Sequence, residues 1–271
     1  MSTEPSISAA DAAAFTLARV RIVLVGTQHP GNMGSAARAM KTMGLSRLVL
    51  VAPETAPNAE SFALAAGADD VLASAVTCST LAEAIADCTQ VYGCTARSRR
   101  IALEELMPRV AADRVRAEAE AGGEIAVVFG RERTGLNNDE LQLCHAAVHI
   151  PANPGYSSLN LAAAVQVLSY ELRLAALGES AAAPAAPAAV PPDASARREP
   201  PASHAQLEGL FGQLGDTLDA IDFHKGRAPE AAMRKLRRLF LRAGLDEREV
   251  RLLRGVLSDA QRMASIATRG D

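Results

Sequence analysis

Polar side chains recur at helical spacing in residues 26–40, GTQHPGNMGSAARAM, which directly follow the apolar run VRIVLV. Asn32, Ser35 and Arg38 lie three residues apart, so they share one face of a predicted helix. Side chains on a helix lean toward its N-terminus, and Arg38 is therefore expected to reach back toward Asn32. The pattern fits a positive charge presented to a substrate, and it also fits a solvated arginine behind an asparagine N-cap.

A phosphate-binding loop is another chemistry that a strand, a glycine-rich loop and a helix suggest. The dinucleotide fingerprint requires glycines in the order G-x-G-x-x-G, whereas the glycines here stand at positions 26, 31 and 34. The segment also lacks the G-K-S/T sequence of a P-loop. The glycine spacing therefore argues against a nucleotide-phosphate site in this loop.

Two later stretches also combine a strand end with polar residues. In VVFGRERTGLNNDEL (127–141), Glu132 stands between two arginines directly after a predicted buried strand. A surface loop with local ion pairs is the alternative interpretation of this stretch. In HIPANPGYSSLNLAAAVQVLSYEL (149–172), Ser157 or Ser158 is expected to cap a helix whose first turn carries Asn160. An asparagine in the first turn of an apolar helix suggests a specific hydrogen-bond partner.

The elements that position these residues follow from the hydrophobic pattern. Apolar runs alternate with helical patterns, and the predicted strands are RIVLVG, RLVLVAP, QVYGCT, EIAVVFG and AVHIPA. Continuous Val, Ile and Leu runs between helices predict an α/β fold in which helices cover both faces of a parallel sheet.

Composition divides the chain into four segments. Residues 1–19 are rich in Ala and Ser and are predicted to form a flexible tail before the α/β domain at 20–177. Residues 178–203 hold six of the 14 prolines and almost no large apolar residue, which predicts an extended linker. Residues 204–271 contain three helical patterns and are predicted to form a small helical module.

The charge of the chain is uneven. The net charge of −3 argues against a generally basic nucleic-acid-binding protein. Residues 225–254 nevertheless carry ten Lys and Arg against four acidic residues. Contact with nucleic-acid phosphates is one explanation of this cluster, and an ordinary solvated helix face is the other.

Cysteine spacing and the apolar runs restrict the cellular context. Cys78, Cys88, Cys94 and Cys144 show neither a C-x-x-C pair nor zinc-ligand spacing, so they are expected to be reduced core residues. We expect no metal site. No apolar run approaches the roughly 20 residues that span a bilayer, and the N-terminus does not resemble a signal peptide. The expected location is the cytoplasm, without membrane association.

Together, the three polar stretches resemble the signature motifs of the TrmH-like (SpoU) branch of the SPOUT RNA methyltransferases. The matches are N-x-G-x-x-x-R at 32–38, F-G-x-E-x-x-G-L at 129–136 and S-x-N-x-x-x-A at 158–164. The strings GNMGS, VFGRER and YSSLNLA are similar to those of the TrmJ-type tRNA 2′-O-methyltransferases within this branch.

The resemblance implies a SPOUT α/β-knot fold, whose last part forms a trefoil knot, and a homodimer. It implies S-adenosylmethionine as methyl donor and the ribose 2′-OH of tRNA as acceptor, at nucleotide 32 of the anticodon loop. The helical segment at 204–271 would then be a tRNA-binding extension. Two alternatives stay open: methylation of rRNA or of another tRNA position, and a non-catalytic RNA-binding member of the fold.

The resemblance also implies roles for individual residues in catalysis. Arg38 would be the catalytic residue, with Asn32, Glu132 and Asn160 beside it. Because a guanidinium with a pKa above about 12 is a poor base, Arg38 is expected to stabilise the developing alkoxide. Glu132 is expected to position Arg38, and the two asparagines are expected to fix the surrounding loops. His29 is a candidate proton relay, with a structural role as the alternative.

Binding roles complete the set of expectations from the resemblance. The glycines of the opening segment are expected to let RNA and a second subunit approach closely. The predicted cofactor-binding residues are Cys94, Thr95, Ala96, Gly130, Ile150, Ser157, Ser158 and Leu159. The predicted RNA-binding residues are Arg97, Arg99, Arg234, Lys235, Arg237 and Arg238.

Overall fold

The computed structural model describes residues 8–96, 103–179, 199–226 and 228–269. Contacts within the chain divide it into two compact units, with the division between Pro184 and Ala185. Most of the predicted linker lies outside the described residues. The first unit contains a sheet with helices on both faces, and the described part of the second unit contains three helices.

The sheet of the first unit has seven strands, and each of its strand pairs is parallel, as predicted. The spatial order is β3-β2-β1-β6-β4-β7-β5, so β7 lies between two strands that precede it in the chain. The trefoil knot itself stays a prediction. The strands are β1 (Val20–Val25), β2 (Arg47–Val51), β3 (Val76–Cys78), β4 (Gln90–Cys94), β5 (Glu104–Leu106), β6 (Ile125–Phe129) and β7 (Ala146–Val148).

Eight helices accompany these strands in the described part of the first unit. They are α1 (Ala9–Ala18), α2 (Pro30–Thr42), α3 (Ala59–Ala65), α4 (Asp69–Ala73), α5 (Leu81–Ala84), α6 (Pro108–Glu120), α7 (Asn138–Gln142) and α8 (Leu161–Ala176). The sheet has a hydrophobic core on each face. Successive residues of a strand belong to different cores, because their side chains point to opposite faces of the sheet. Ile22 and Leu24 belong to the core beneath α1, α2, α6 and α8, whereas Val23 and Val25 belong to the core beneath α5 and α7.

The N-terminal residues differ from their prediction. Residues 8–18 form a capped helix rather than a flexible tail, and the Ser8 hydroxyl accepts a hydrogen bond from the backbone N–H of Asp11. Ala13 and Leu17 are buried in the first core. Thr16 between them is buried as well. The alanine-rich composition concealed this helix, because few of its residues mark a buried face. Residues 1–7 lie outside the described residues.

Gly34, the glycine of the first motif, has a packing role within the chain. A Cβ at this position would lie 1.9 Å from the carbonyl oxygen of Ser61 on α3. The absent side chain therefore allows α2 and α3 to pack closely. The expectation that this glycine serves the approach of RNA or a second subunit is corrected by this contact.

The second unit consists of α9 (His204–Ala220), α10 (Pro229–Ala243) and α11 (Glu247–Arg269) around a small core that includes Phe211, Leu241 and Val250. Gly244 ends α10 with a φ of 63°, and Asp246 accepts a hydrogen bond from the backbone N–H of Glu249 at the start of α11. Both follow the ordinary chemistry of helix ends.

The end of the predicted linker belongs to this second unit. Pro201 pairs with Asp246 in a β-bridge, and Ala202 is buried beside the helices. The linker prediction is therefore wrong for these residues, since their backbone is fixed by hydrogen bonds to the loop that precedes α11. Proline content alone did not reveal that contact.

The four cysteines are free, and Cys88 and Cys144 are buried. Among the described helices, none combines the length and the apolar character that crossing a bilayer requires.

Candidate active site

The three motifs meet at the carboxyl edge of the parallel sheet. β1 leads into the loop before α2, β6 leads into the turn that carries Glu132, and β4 and β7 lead into the loops at 94–96 and 149–160. The carboxyl ends of parallel strands lie at one edge of a sheet, where open α/β folds bind their ligands. The topology thus explains why residues more than a hundred positions apart become neighbours.

The second motif forms a tight turn around Glu132. The backbone N–H of Gly135 donates a hydrogen bond of 2.8 Å to the carbonyl of Arg131, and these residues also form a β-bridge. A Cβ on Gly130 would lie 2.1 Å from the backbone nitrogen of Leu136. The glycines of F-G-x-E-x-x-G-L therefore let the chain fold back on itself directly after β6.

Glu132 joins this turn to the first motif. Its Oε1 accepts a hydrogen bond of 2.9 Å from the Asn32 side chain and one of 3.2 Å from the backbone N–H of His29, and its Oε2 accepts one of 3.0 Å from the backbone N–H of Gln28. A carboxylate at this place satisfies backbone donors at the start of α2, which suits the positive end of the helix dipole.

Asn32 also forms a hydrogen bond with the third motif. Its Oδ1 accepts a hydrogen bond of 3.0 Å from the side-chain amide of Asn160. The Oδ1 of Asn160 in turn accepts from the backbone N–H groups of Ala162 and Ala163. Glu132, Asn32 and Asn160 thus form one continuous chain of hydrogen bonds, which we call the polar chain.

Asn160 therefore plays a different part in α8 from the one predicted. It is the N-cap residue itself, and α8 begins at Leu161 rather than at Ser158. Asparagine is among the best N-cap residues, because its side-chain oxygen accepts the free N–H groups of the first turn. The prediction of Ser157 or Ser158 as the cap is wrong, while the predicted specific partner for Asn160 is confirmed as Asn32.

The charge state of Glu132 follows from its surroundings. Partial burial raises the pKa of its carboxyl, but the hydrogen bonds donated by Asn32, Gln28 and His29 outweigh that effect and leave the pKa below its usual value. The group is thus an anion at neutral pH, with its oxygens already occupied by donors. This arrangement suits a structural anchor better than a general base.

Arg38 lies on the exposed side of α2. Its guanidinium makes no hydrogen bond or ion pair with any residue that the structure describes. The expectation that Glu132 positions Arg38 is therefore corrected, since Glu132 holds Asn32 and the loop before α2 instead. Arg38 stands six residues after Asn32 in α2, a rise of about 9 Å along the helix axis.

A cavity of about 510 Å³ opens beside the polar chain. Phe129, Leu161 and Ala164 contribute apolar surface to its wall, as does the predicted residue Ile150. The eight residues predicted to bind the cofactor all line this cavity, namely Cys94, Thr95, Ala96, Gly130, Ile150, Ser157, Ser158 and Leu159.

Hydrogen bonds hold the loop at 94–96 against the end of β7. The backbone N–H of Thr95 donates to the carbonyl of Val148, and Nδ1 of His149 lies 3.3 Å from the carbonyl oxygen of Thr95. Burial raises the pKa of the Cys94 thiol to about 12, which keeps it protonated and a poor nucleophile within the cavity.

Several residues of the cavity wall were not predicted from the sequence. Arg131, Arg133 and Thr134 line it together with Glu132, because the turn of the second motif forms part of the wall. The positions of Arg131 and Arg133 are unspecified in F-G-x-E-x-x-G-L. A helical or strand pattern gives no signal for such residues, and only the closed turn reveals that they face the same space.

The predicted RNA-binding residues are only partly available in the second unit. Arg234 and Lys235 are exposed on α10. Arg237 instead forms an ion pair with Glu208 and lies over the ring of Phe211, with 4.5 Å between its guanidinium carbon and the ring centroid. Arg237 thus packs α10 against α9, which corrects its predicted RNA contact, and Arg238 is half-buried. Arg97 and Arg99 lie outside the described residues.

Within the described residues, no group of three or more His, Cys, Asp or Glu side chains is arranged to hold a metal ion.

Comparisons with known proteins agree with this arrangement. The model of the SpoU rRNA Methylase family matches residues 19–170, and the model of the tRNA methyltransferase TrmJ, C-terminal domain, matches residues 205–269. The tRNA (cytidine/uridine/adenosine-2′-O-)-methyltransferase TrmJ of Pseudomonas aeruginosa is 46% identical over 250 residues, which cover 92% of this chain and 96% of that protein.

Two further relatives span most of the chain. The tRNA (cytidine/uridine-2′-O-)-methyltransferase TrmJ of Salmonella typhimurium is 48% identical over 246 residues, covering 90% of this chain and 97% of that protein. The crystal structure of TrmJ from Z. mobilis ZM4 has a TM-score of 0.73 and 36% identity, covering 88% of this chain and 97% of that one. The chain therefore belongs to the SpoU methylase family, among its TrmJ-type members with the matching C-terminal domain.

Proposed function

We propose that this protein transfers a methyl group from S-adenosylmethionine to the ribose 2′-OH of tRNA. The observation that carries the proposal is the cavity at the carboxyl edge of the sheet, which is lined by all eight predicted cofactor-binding residues. The polar chain of the three motifs adjoins it through Glu132. The relatives that match most of the chain bear the names of tRNA 2′-O-methyltransferases.

The cavity suits the proposed cofactor in size and chemistry. Its volume of about 510 Å³ falls within the range of about 300–1,000 Å³ that is common for small-molecule sites. Apolar side chains such as Ile150 and Leu159 can contact the adenine faces, and backbone groups of the lining loops can bind its polar edge. When bound there, S-adenosylmethionine supplies an electrophilic methyl group on a sulfonium.

The ribose is the acceptor that the relatives' names have in common. Those names include cytidine and uridine, and one adds adenosine, while the 2′-O designation is shared by all of them. An enzyme that accepts several bases needs its reactive contacts at the sugar. Hydroxyl and phosphate groups are present at every nucleotide, so an arginine can orient them without reading the base.

Methyl transfer is an in-line displacement in which the 2′-oxygen bonds to the methyl carbon as the carbon–sulfur bond breaks. The hydroxyl must be held about 3 Å from that carbon, its proton must pass to solvent water, and the sulfur must leave as the thioether of S-adenosylhomocysteine. Arg38 is the residue that we assign to the developing negative charge on the oxygen, because its exposed guanidinium is free of described partners. Glu132, Asn32 and Asn160 act as positioning residues that fix α2 and α8 around it.

The second unit supplies a surface for the RNA. Arg234 and Lys235 are exposed on one helix, and Arg242 is exposed in its last turn. Three cations along one helix suit the regular spacing of phosphates in an RNA backbone. The family match of residues 205–269 to the C-terminal domain of a tRNA methyltransferase supports the same assignment.

Nucleotide 32 of the anticodon loop is the position that we propose for methylation. The relatives' names state the ribose 2′-oxygen of tRNA but no position, so this assignment rests on the sequence resemblance. A loop nucleotide is accessible without unpairing a duplex, which favours single-stranded targets in RNA recognition.

We include a homodimer, a cytoplasmic location and independence from metal ions in the proposal. Helices α1, α6 and α8 pack together. Large apolar side chains are exposed on or beside these helices, at Phe15, Met107, Val110 and Tyr170. Exposed apolar side chains on helices that pack together support an interface between two copies of the chain. A tRNA substrate supports the cytoplasmic location.

Replacing Arg38 by Ala is expected to lower kcat at least about 100-fold, because the charge opposite the developing alkoxide is lost. The affinity for S-adenosylhomocysteine, measured by calorimetry, is expected to change less than about twofold. Lys41→Ala, on the same helix and paired with Asp70, is the control and should keep full activity. Single-turnover rates near wild type for Arg38→Ala contradict the catalytic role.

Replacing Glu132 by Gln is expected to lower kcat about 10- to 100-fold, since an amide nitrogen would face N–H donors.

The same variant tests the charge of Glu132 through the pH dependence of stability. Because the pKa of Glu132 is lowered in the folded protein, its carboxylate stabilises the fold fully above the ordinary pKa of about 4.3. That stabilisation is lost as the pH falls through the lower folded-state pKa. Urea unfolding should therefore show a stability gap between wild type and Glu132→Gln that shrinks from about pH 7 to about pH 3. Glu120→Gln is the control, and a gap that does not change with pH contradicts the anchoring role.

Replacing Arg234 and Lys235 together by Ala is expected to weaken tRNA binding and to lower its salt-dependence slope by about 2, one for each lost phosphate contact. Fluorescence anisotropy over a salt series measures both quantities. Arg262→Ala, an exposed arginine of α11 paired with Asp259, should leave the slope unchanged. A normal slope in the double variant shows that α10 does not contact the RNA backbone.

Mass-spectrometric mapping of ribose methylation tests the substrate and the position. We expect bulk tRNA from a strain lacking the gene to lose methylation at nucleotide 32, and the purified protein to restore it. Loss at another tRNA position or in rRNA would refute the assigned position. No change, together with no methyl transfer by the purified protein, would indicate a non-catalytic RNA-binding protein.

A further inference from the structure

Among the residues that the structure describes, three charged side chains line the cavity, and two of them already have partners. The guanidinium of Arg131 bonds to both carboxylate oxygens of Glu140, at 2.9 and 3.2 Å. The carboxylate of Glu132 accepts three N–H groups. Arg133 is exposed, and no described residue forms a hydrogen bond or an ion pair with its guanidinium. It is the one lining charge in the described chain that is left for a ligand.

The backbone of Arg133 is fixed in the cavity wall. It lies inside the turn closed by the hydrogen bond from Gly135 to Arg131, and its neighbours Glu132 and Thr134 line the cavity as well. The side chain therefore starts from a rigid position beside the space that a ligand would occupy. A preorganised arginine loses less freedom when it binds than one on a mobile loop.

The proposed cofactor has one negatively charged group, the carboxylate of its methionine end. Its adenosine end is uncharged, and apart from the three charged residues the cavity wall offers apolar side chains, neutral hydroxyls and backbone groups. A carboxylate that leaves water needs a counter-charge, and an arginine fork is the side chain that binds it with two parallel hydrogen bonds. Arg133, whose guanidinium has no described partner, can supply this counter-charge.

We propose that Arg133 binds the methionine carboxylate of the cofactor. The inference rests on the proposed function, since it takes S-adenosylmethionine as the ligand of this cavity. An RNA phosphate is the rival anion, and its contact with Arg133 would act on tRNA binding rather than on cofactor binding.

Two ligands that differ at the methionine end separate these possibilities. S-adenosylhomocysteine carries the carboxylate, whereas 5′-methylthioadenosine keeps the adenosine and the thioether but lacks the amino-acid end. Calorimetry on the full-length protein without tRNA is expected to show that Arg133→Gln weakens S-adenosylhomocysteine binding about tenfold or more. The affinity for 5′-methylthioadenosine is expected to stay within about twofold.

Matched variants control for charge and for folding. Arg116→Gln removes the same charge from an arginine that pairs with Glu120 on α6, and it should change neither affinity. Arg133→Lys keeps the charge without the fork and is expected to recover part of the loss. Thermal unfolding of each variant checks that the fold is intact, and the selectivity between the two ligands is a readout that general damage does not produce.

Three results would overturn the inference. Equal losses for both ligands would assign Arg133 a structural role. No loss for S-adenosylhomocysteine, with weaker tRNA binding and a salt slope lower by about 1, would assign it to an RNA phosphate. Normal affinity for all three ligands would assign it to solvent. Failure of the wild-type protein to bind S-adenosylhomocysteine would instead refute the proposed function itself.

Discussion

The carboxylate of Glu132 is the group on which the arrangement of the site depends. A carboxylate can only accept hydrogen bonds, so Asn32 must turn its NH₂ group toward it and must expose its oxygen on the other side. Asn160 then has to donate its own NH₂ group to that oxygen, which leaves its Oδ1 for the first N–H groups of α8. One ionised group thus fixes both amide orientations and joins the starts of α2 and α8 to the turn after β6.

The charged side chains at the two edges of the sheet differ in how they are paired. At the amino edge, Glu124 receives ion pairs from Arg19, Arg21 and Arg47, and Arg21 also pairs with Asp87. These ion pairs connect the starts of β1 and β2 with the segment before β6, and three arginines there face two carboxylates. At the carboxyl edge, the carboxylate of Glu132 accepts hydrogen bonds from neutral N–H donors, while Arg38 and Arg133 remain without described partners. Parallel strands make this separation possible, because all their loops toward the ligand lie on one side.

Local patterns predicted the parallel sheet and the motif residues, because strand periodicity, glycine spacing and helix starts are written within short segments. Asn160 is a residue whose interactions local sequence patterns predicted only in part. A specific hydrogen-bond partner was expected for it, but that partner, Asn32, lies 128 residues away in the chain, where no local pattern identifies it. Helix α1 was missed because alanines give little periodic contrast, and Arg133 because its position in the motif is unspecified. A threaded chain leaves no local signature at all, so the knot was expected only from resemblance.

The pairing of the arginines suggests how the protein separates stability from function. Most buried or half-buried guanidinium groups of the described chain have a carboxylate at hand, as Arg21, Arg131 and Arg237 do with Asp87, Glu140 and Glu208. Removing a carboxylate from such a pair leaves an uncompensated charge and costs stability. Arg38 and Arg133 have no such carboxylate among the described residues, so no ion pair of this kind links their charges to the fold there. In the roles that we propose, their counter-charges come from outside the chain, from an alkoxide or phosphate for Arg38 and from a carboxylate for Arg133. These two charges would then be paired with anions only when RNA and cofactor are both bound.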